Sequence, residues 1–410
     1  MRRVRTRLPR GHPHHAHQPQ APADRRGELR LRGQRRSGNR FAHRYLPRRR
    51  PRGFHPMSAA TYISAEQLSV LVAELVAAGT RVVAPVSAAD GTANYSEIET
   101  LAQATFNDAL PMPSLKGHFL PPSEPLLSWR QNGGDVELTP APNCFAAQVV
   151  LGARPCDVAA LNVVDSVMNW DYHDDLWNGR RDASTIISIA CPGVDESCFC
   201  SAVGLGPDAT RGTDALLVAV EGGYLFEPVS EKGEAFLGEY ERFFTAAPDT
   251  ALAAGEAFRA EARARVEANL NIDTKRIEHW IDGHFDDDFW PTLGPRCNGC
   301  GACASVCPTC HCFDITDEQT GVGTGVRRRS WDTCQAKKFT LHASGHNPRD
   351  DQNSRHRQRI SHKFYIYPSK FGDVLCTGCG RCVRVCPAGQ DLIEILQGID
   401  QLALSEEGSL

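Results

Sequence analysis

From residue 64 onward the chain alternates between helical and strand periodicity in a readable order. Ser64-Ala65-Glu66-Gln67 has the form of a capping box, and Leu68, Leu71, Val72, Leu75 and Val76 follow at helical spacing. Gly79 ends that helix, and Arg81 to Val86 reads as a short strand. Residues 107–142 are Pro-rich and loop-like, with breaks at Pro121-Pro122 and Asn132-Gly133-Gly134. A β–α–β pattern comes next. Phe145 to Leu151 is a buried-strand run, Asp157 to Met168 a helix, and Thr185 to Ala190 a second buried strand. Leu216–Val220 and Tyr224–Pro228 flank Glu221-Gly222-Gly223 as a hairpin, and residues 249–282 read as helices rich in Ala and charge. A last basic helix is expected from Arg355 to Phe364.

The two strands of the β–α–β unit each run into a cysteine, Cys156 and Cys191, at the end where ligands gather in parallel sheets. Cys198 and Cys200 follow in the adjoining loop. Downstream stand two cysteine ladders of one spacing: Cys297, Cys300, Cys303 and Cys307 before Pro308, and Cys376, Cys379, Cys382 and Cys386 before Pro387. This is the ligand run of a bacterial-type ferredoxin, written twice. A cubane takes four thiolates at tetrahedral corners, so the loop must turn repeatedly, and Gly299, Gly301, Gly378 and Gly380 supply that freedom. In two-cluster ferredoxins the fourth cysteine of each ladder serves the other cluster. One [4Fe-4S] site is then Cys297, Cys300, Cys303 and Cys386, and the other Cys376, Cys379, Cys382 and Cys307. Structural zinc closes one site with paired knuckles, and a disulfide framework belongs to exported chains, so neither competes well.

Sixty-eight residues separate Cys307 from Cys376, far more than a compact ferredoxin needs. The insert carries Cys310, Cys312 and Cys334. Gly321, Gly323 and Gly325 resemble a dinucleotide loop only superficially, since no strand is expected before them and no helix after.

At 410 residues and 41% hydrophobic content, more than one domain with a real core is expected. Sixteen cysteines with no export-type leader point to metal ligation in a reducing, cytoplasmic setting. No 18-residue apolar run offers a membrane span, and no apolar stretch follows Arg2-Arg3 to make a twin-arginine leader. The net charge of −4 conceals a division, because residues 1–56 hold 17 of the 45 basic residues and 2 of the 49 acidic ones. That stretch is rich in Arg, Pro, His and Gly and contains no Lys. It reads as a disordered tail, with translation from Met57 preferred over a selected nucleic-acid-binding arm. The fold expected is an α/β domain over 57–248, a helical linker over 249–290, and an α+β two-cluster ferredoxin module over 291–400. Its insert is 313–375, with a short tail at 401–410.

Gly152-Ala-Arg-Pro-Cys-Asp157, Cys198-Phe-Cys200, Cys307-Pro-Thr-Cys-His-Cys312, Trp331-Asp-Thr-Cys334, Gly345-His-Asn-Pro348 and Cys376-Thr-Gly-Cys-Gly-Arg-Cys382 together form a specific signature. It resembles the beta, iron–sulfur subunit of cytoplasmic NiFe hydrogenases (sulfhydrogenases) and the related iron–sulfur subunit of anaerobic sulfite reductase. The resemblance implies an electron-transfer subunit between a flavin- and NAD(P)H-binding reductase partner and a hydrogenase or sulfite reductase partner. The alternatives are a self-sufficient ferredoxin-like carrier or a metal-stabilised interaction module.

The cysteines outside the ladders leave two readings open: a third cluster, or buried redox-inert thiols. For the former, Cys156, Cys191, Cys198 and Cys200 are the first choice, and Cys310, Cys312 and Cys334 are alternative ligands. Cys144 reads as a small core residue. Arg327–Arg329 and the run from Arg355 to Lys363 read as a solvated helix face, with a docking or anion site as the alternative. His311, His342 and His346 either tune a cluster or hold the loop.

Overall fold

The computed structural model describes residues 60–106, 110–193 and 195–408. The Arg-rich stretch 1–56, with the expectations placed on it, lies outside the described residues. His55–Leu410 forms one compact unit.

Its first layer is an eight-stranded sheet. The strands are β1 (Thr61–Ser64), β2 (Arg81–Ser87), β3 (Ala93–Ile98), β6 (Gln148–Ala153), β7 (Ser184–Ile189), β8 (Ala215–Val220), β9 (Gly223–Pro228) and β10 (Thr245–Ala246). Their order is β10-β1-β9-β8-β7-β6-β2-β3. The central pairs β2–β6, β6–β7 and β7–β8 are parallel, and antiparallel strands flank them. The parallel strands carry the continuous apolar runs that burial on both faces requires, with β6 buried throughout.

Helices cover both faces. Ala65–Ala77 begins where Ser64 accepts from the Gln67 backbone N–H, and buries Leu68, Leu71, Val72 and Leu75. Pro155–Met168 crosses from β6 to β7 with Pro155 in its first turn, where the missing N–H costs nothing.

The second sheet has four antiparallel strands: β4 (Ser123–Asn132), β5 (Asp135–Pro140), β11 (Phe313–Gly321) and β12 (Thr324–Trp331), in the order β11-β12-β4-β5. Two expectations change here. Residues 107–142 are not merely loop, because 123–140 form a hairpin turning at Asn132-Gly133-Gly134. Its partner is β12, nearly 200 residues away in sequence, so local pattern could not reveal it. The glycines 321, 323 and 325 sit in a second hairpin, with a strand on either side rather than none before them. The turn, with Gly323 at φ +67°, leaves no helix start for a phosphate.

Helices pack the ladder loops from the other side. Asp249–Glu267 and Thr274–Gly283 precede the first ladder, and Leu392–Glu407 follows the second. Gln352–Ser361 continues through a π-helical turn at His362–Ile366. Ile277, Trp280, Trp290, Ile360, Phe364, Leu396 and Ile399 share one apolar core there. The basic residues of this region are not a solvated helix face. Arg327 and Arg328 lie on β12 and pair with Asp317 and Glu318, while Arg329 is buried between Glu124 and Asp174. Arg355, Arg359 and Lys363 are likewise buried. Cys144 is exposed rather than a core residue, because it lies in the extended stretch before β6.

Among the described residues no helix is long and apolar enough to cross a membrane.

Candidate iron–sulfur sites

Three cavities walled by cysteines lie side by side. The first is lined by Cys297, Cys300 and Cys303 of one ladder together with Cys382 and Cys386 of the other. The second is lined by Cys376, Cys379 and Cys382 with Cys307, so each ladder's last cysteine faces the opposite ladder's loop. The third is lined by Cys156, Cys191, Cys198 and Cys200, with Cys379 on its wall. Neighbouring cavities share residues: Cys379 borders the third and second, and Cys382 the second and first.

The backbone explains the contiguity. β6 and β7 are adjacent parallel strands, so Cys156 and Cys191 emerge beside each other at their carboxyl ends. The loop 197–200 then lies against the second ladder, where the Phe199 N–H donates to Gly378 O at 2.8 Å. A Cβ on Gly378 would stand 2.4 Å from the Phe199 carbonyl, and one on Gly380 2.3 Å from the Ser197 oxygen. Both have positive φ as well, so glycine is required there on two counts.

A fully buried ion pair fastens the same junction. Arg381, between two ladder cysteines, donates to Asp157 at 2.7 Å, and neither side chain has any exposure. Tyr95 Oη donates to the same carboxylate oxygen at 2.8 Å, and Arg381 Nε donates to Pro111 O at 2.8 Å. Arg384 reaches Cys198 Sγ at 3.1 Å while holding Asp195.

The residues present fit clusters in these cavities. At the first, His356 is 3% and Arg359 4% exposed, yet both ring nitrogens of His356 and the Nε and Nη2 of Arg359 have no partner among the described residues. Buried donors aimed at a thiol-lined space await acceptors that sulfide and thiolate would supply. Burial opposes the charge on Arg359, but the thiolates of Cys303, Cys382, Cys310 and Cys307 outweigh it and raise its pKa. Burial, aided by Arg359, lowers His356 to about 4 and keeps its imidazole neutral.

At the second cavity Thr377 Oγ1 is buried without a partner among the described residues. Lys363 Nζ donates there to Cys307 Sγ at 3.4 Å, Thr309 Oγ1 at 3.0 Å and Leu375 O at 2.9 Å. At the third, burial first, then the thiolates of Cys191 and Cys198, push Cys200 up to about 12, as close packing of thiols requires. Among the described residues no three His, Cys, Asp or Glu side chains converge on a single ion. A cubane core is wider than an ion, so its thiolates stand further apart than those of a zinc site.

The structure separates the insert cysteines from the N-terminal set. Cys310, Cys312 and Cys334 line none of these three cavities. His311 is half-buried, with its Nδ1 against Thr309 O at 2.9 Å and its ring beside His362. His342 and His346 face one another in an exposed turn. Sequence reasoning weighs the run from Arg355 to Lys363 as a docking or anion site but does not place Lys363, Arg359 and His356 against the clusters; their position in a basic run between the ladders is the available signal.

Residues 296–390 match the 4Fe-4S dicluster domain family. The chain is also 31% identical over 252 residues to the sulfhydrogenase 2 beta subunit of Pyrococcus furiosus, covering 61% of this chain and 73% of that relative. By that extent of likeness, and by its dicluster module, the chain belongs to the iron–sulfur beta-subunit family of the sulfhydrogenases.

Proposed function

We propose that the chain is the conducting subunit of a sulfhydrogenase-like complex, carrying electrons between a flavin- and NAD(P)H-binding reductase partner and a NiFe hydrogenase partner. The observation that carries this is the unbroken row of three thiol-lined cavities with shared walls. When bound, [4Fe-4S] clusters supply one-electron oxidation and reduction.

The chain's residues do the rest. Cys297, Cys300, Cys303 and Cys386 hold one cluster, Cys376, Cys379, Cys382 and Cys307 a second, and Cys156, Cys191, Cys198 and Cys200 a third. Buried Lys363 and Arg359 and half-buried Arg384 bring positive charge to the thiolates, favouring the more negative, reduced state of each site. The core around Trp280, Trp290 and Leu396 excludes water from one side. Cys300 is exposed, so the first site lies near the surface and is suited to exchange with a partner.

Anaerobic purification through a tag on this chain, with identification of co-purifying proteins and counting of iron, tests the proposal. Recovery with hydrogenase and reductase subunits and about twelve irons per chain from these three sites is expected. Recovery with sulfite reductase subunits moves the chain to the other branch of the resemblance. Recovery alone, with full iron and free electron exchange, favours a self-sufficient carrier.

A further inference from the structure

With the ladders and the N-terminal set assigned, the thiols of Cys310, Cys312 and Cys334 have no role. Tertiary structure nevertheless brings Cys334 back beside Cys312, and Cys310 and Cys312 onto one cavity wall. Cys312 directly precedes β11 and Cys334 lies just beyond β12, and the hairpin pairs Phe313 with Trp331. The Asp332 N–H then donates to Cys312 O at 3.0 Å, so Cys312 and Cys334 flank the open end of the same hairpin. Cys310 stands two residues before Cys312, just after the turn at 308–309. Cys310 and Cys312 both line a cavity of about 430 Å³, with Asp332 also on its wall.

The charge around that cavity is unbalanced. Lys116 is 2% exposed, and its Nζ donates to Cys310 O at 2.9 Å and lies 3.9 Å above the Trp331 ring. It forms no ion pair with a carboxylate among the described residues. A buried ammonium held only by carbonyl oxygens and an aromatic face calls for an anion nearby.

We propose that Cys310, Cys312 and Cys334 hold a fourth iron–sulfur cluster through three thiolates, its remaining iron turned to the open cavity that Asp332 borders. The site adjoins the first ladder's. Cys300 lines both cavities, and Gln335 touches Cys334 and Cys297 at 3.8 Å each. A fourth cluster there extends the row toward solvent. This goes beyond the three-cluster reading and survives its failure at the N-terminal set.

The test uses the full chain, reconstituted anaerobically with iron and sulfide. The variant Cys310→Ser/Cys312→Ser/Cys334→Ser is expected to bind about four fewer irons per chain while keeping the ladder spectra. Unchanged iron overturns the proposal. Should that variant fail to fold, iodoacetamide labelling of the wild-type chain decides. Cys310, Cys312 and Cys334 are expected to be protected in the loaded chain and labelled after iron is stripped by a chelator. Labelling of the loaded chain, or a Cys312–Cys334 disulfide in its anaerobic peptide map, refutes the site.

Discussion

Cys386 and Lys363 show how single residues act across the ladders. Cys386 ends the second ladder yet lines the cavity of Cys297, Cys300 and Cys303. Replacing it with Ala is expected to alter the cluster of the first ladder. The electron paramagnetic resonance spectrum of Cys386→Ala should therefore resemble that of Cys300→Ala. If it reproduces Cys379→Ala instead, the ladders are uncrossed. Lys363 is 2% exposed and donates to Cys307 Sγ, so Lys363→Met removes a charged hydrogen bond without opening a large void. Such bonds contribute about 1.5–3 kcal/mol. The potential of the second ladder's cluster should fall by on the order of 60–130 mV for one electron. A redox titration showing no change would remove Lys363 from the tuning groups.

At the scale of elements, the docking of loop 197–200 against the second ladder is the critical contact. Gly378→Ala places a Cβ 2.4 Å from the Phe199 backbone at a φ of +61°. Strain of about 1–3 kcal/mol adds to a backbone clash with no flexible side chain to yield. Loss of iron from both the second and third sites is expected, with a clearly lowered melting temperature. Gly389→Ala, at φ +65° with nothing within 4 Å, is the control and should cost only the strain. Equal melting temperatures for the two variants would show that the loop is free to move away.

For the whole molecule, the buried Arg381–Asp157 pair joins the α/β layer to the ferredoxin loops. Asp157→Asn leaves a buried guanidinium unbalanced, and removing one partner of such a pair costs about 3–5 kcal/mol. Chemical denaturation should show that loss as one shifted transition, since His55–Leu410 is one compact unit. Two separated transitions would indicate halves that fold alone. By the same reasoning, a fragment of residues 291–410 strips β12 of its partner β4 and exposes an unpaired edge. It is expected to aggregate or to bind few irons, and a stable, cluster-loaded monomer would contradict this.

The ladder spacing, the helix cap at Ser64 and the β–α–β run around Cys156 were legible because each is a local pattern. Ligand spacing, capping and strand periodicity operate within a few residues. Even the emergence of Cys156 and Cys191 at strand ends could be read, since parallel neighbours end on one side. The pairing of β4 with β12, the interior place of Arg329, Arg359 and Lys363, and the shared walls between cavities could not. Those depend on segments far apart in sequence meeting in space. A basic run looks the same whether its charges face water or a cage of thiolates. Only the fold placed Lys363 against Cys307 and left Cys144 outside.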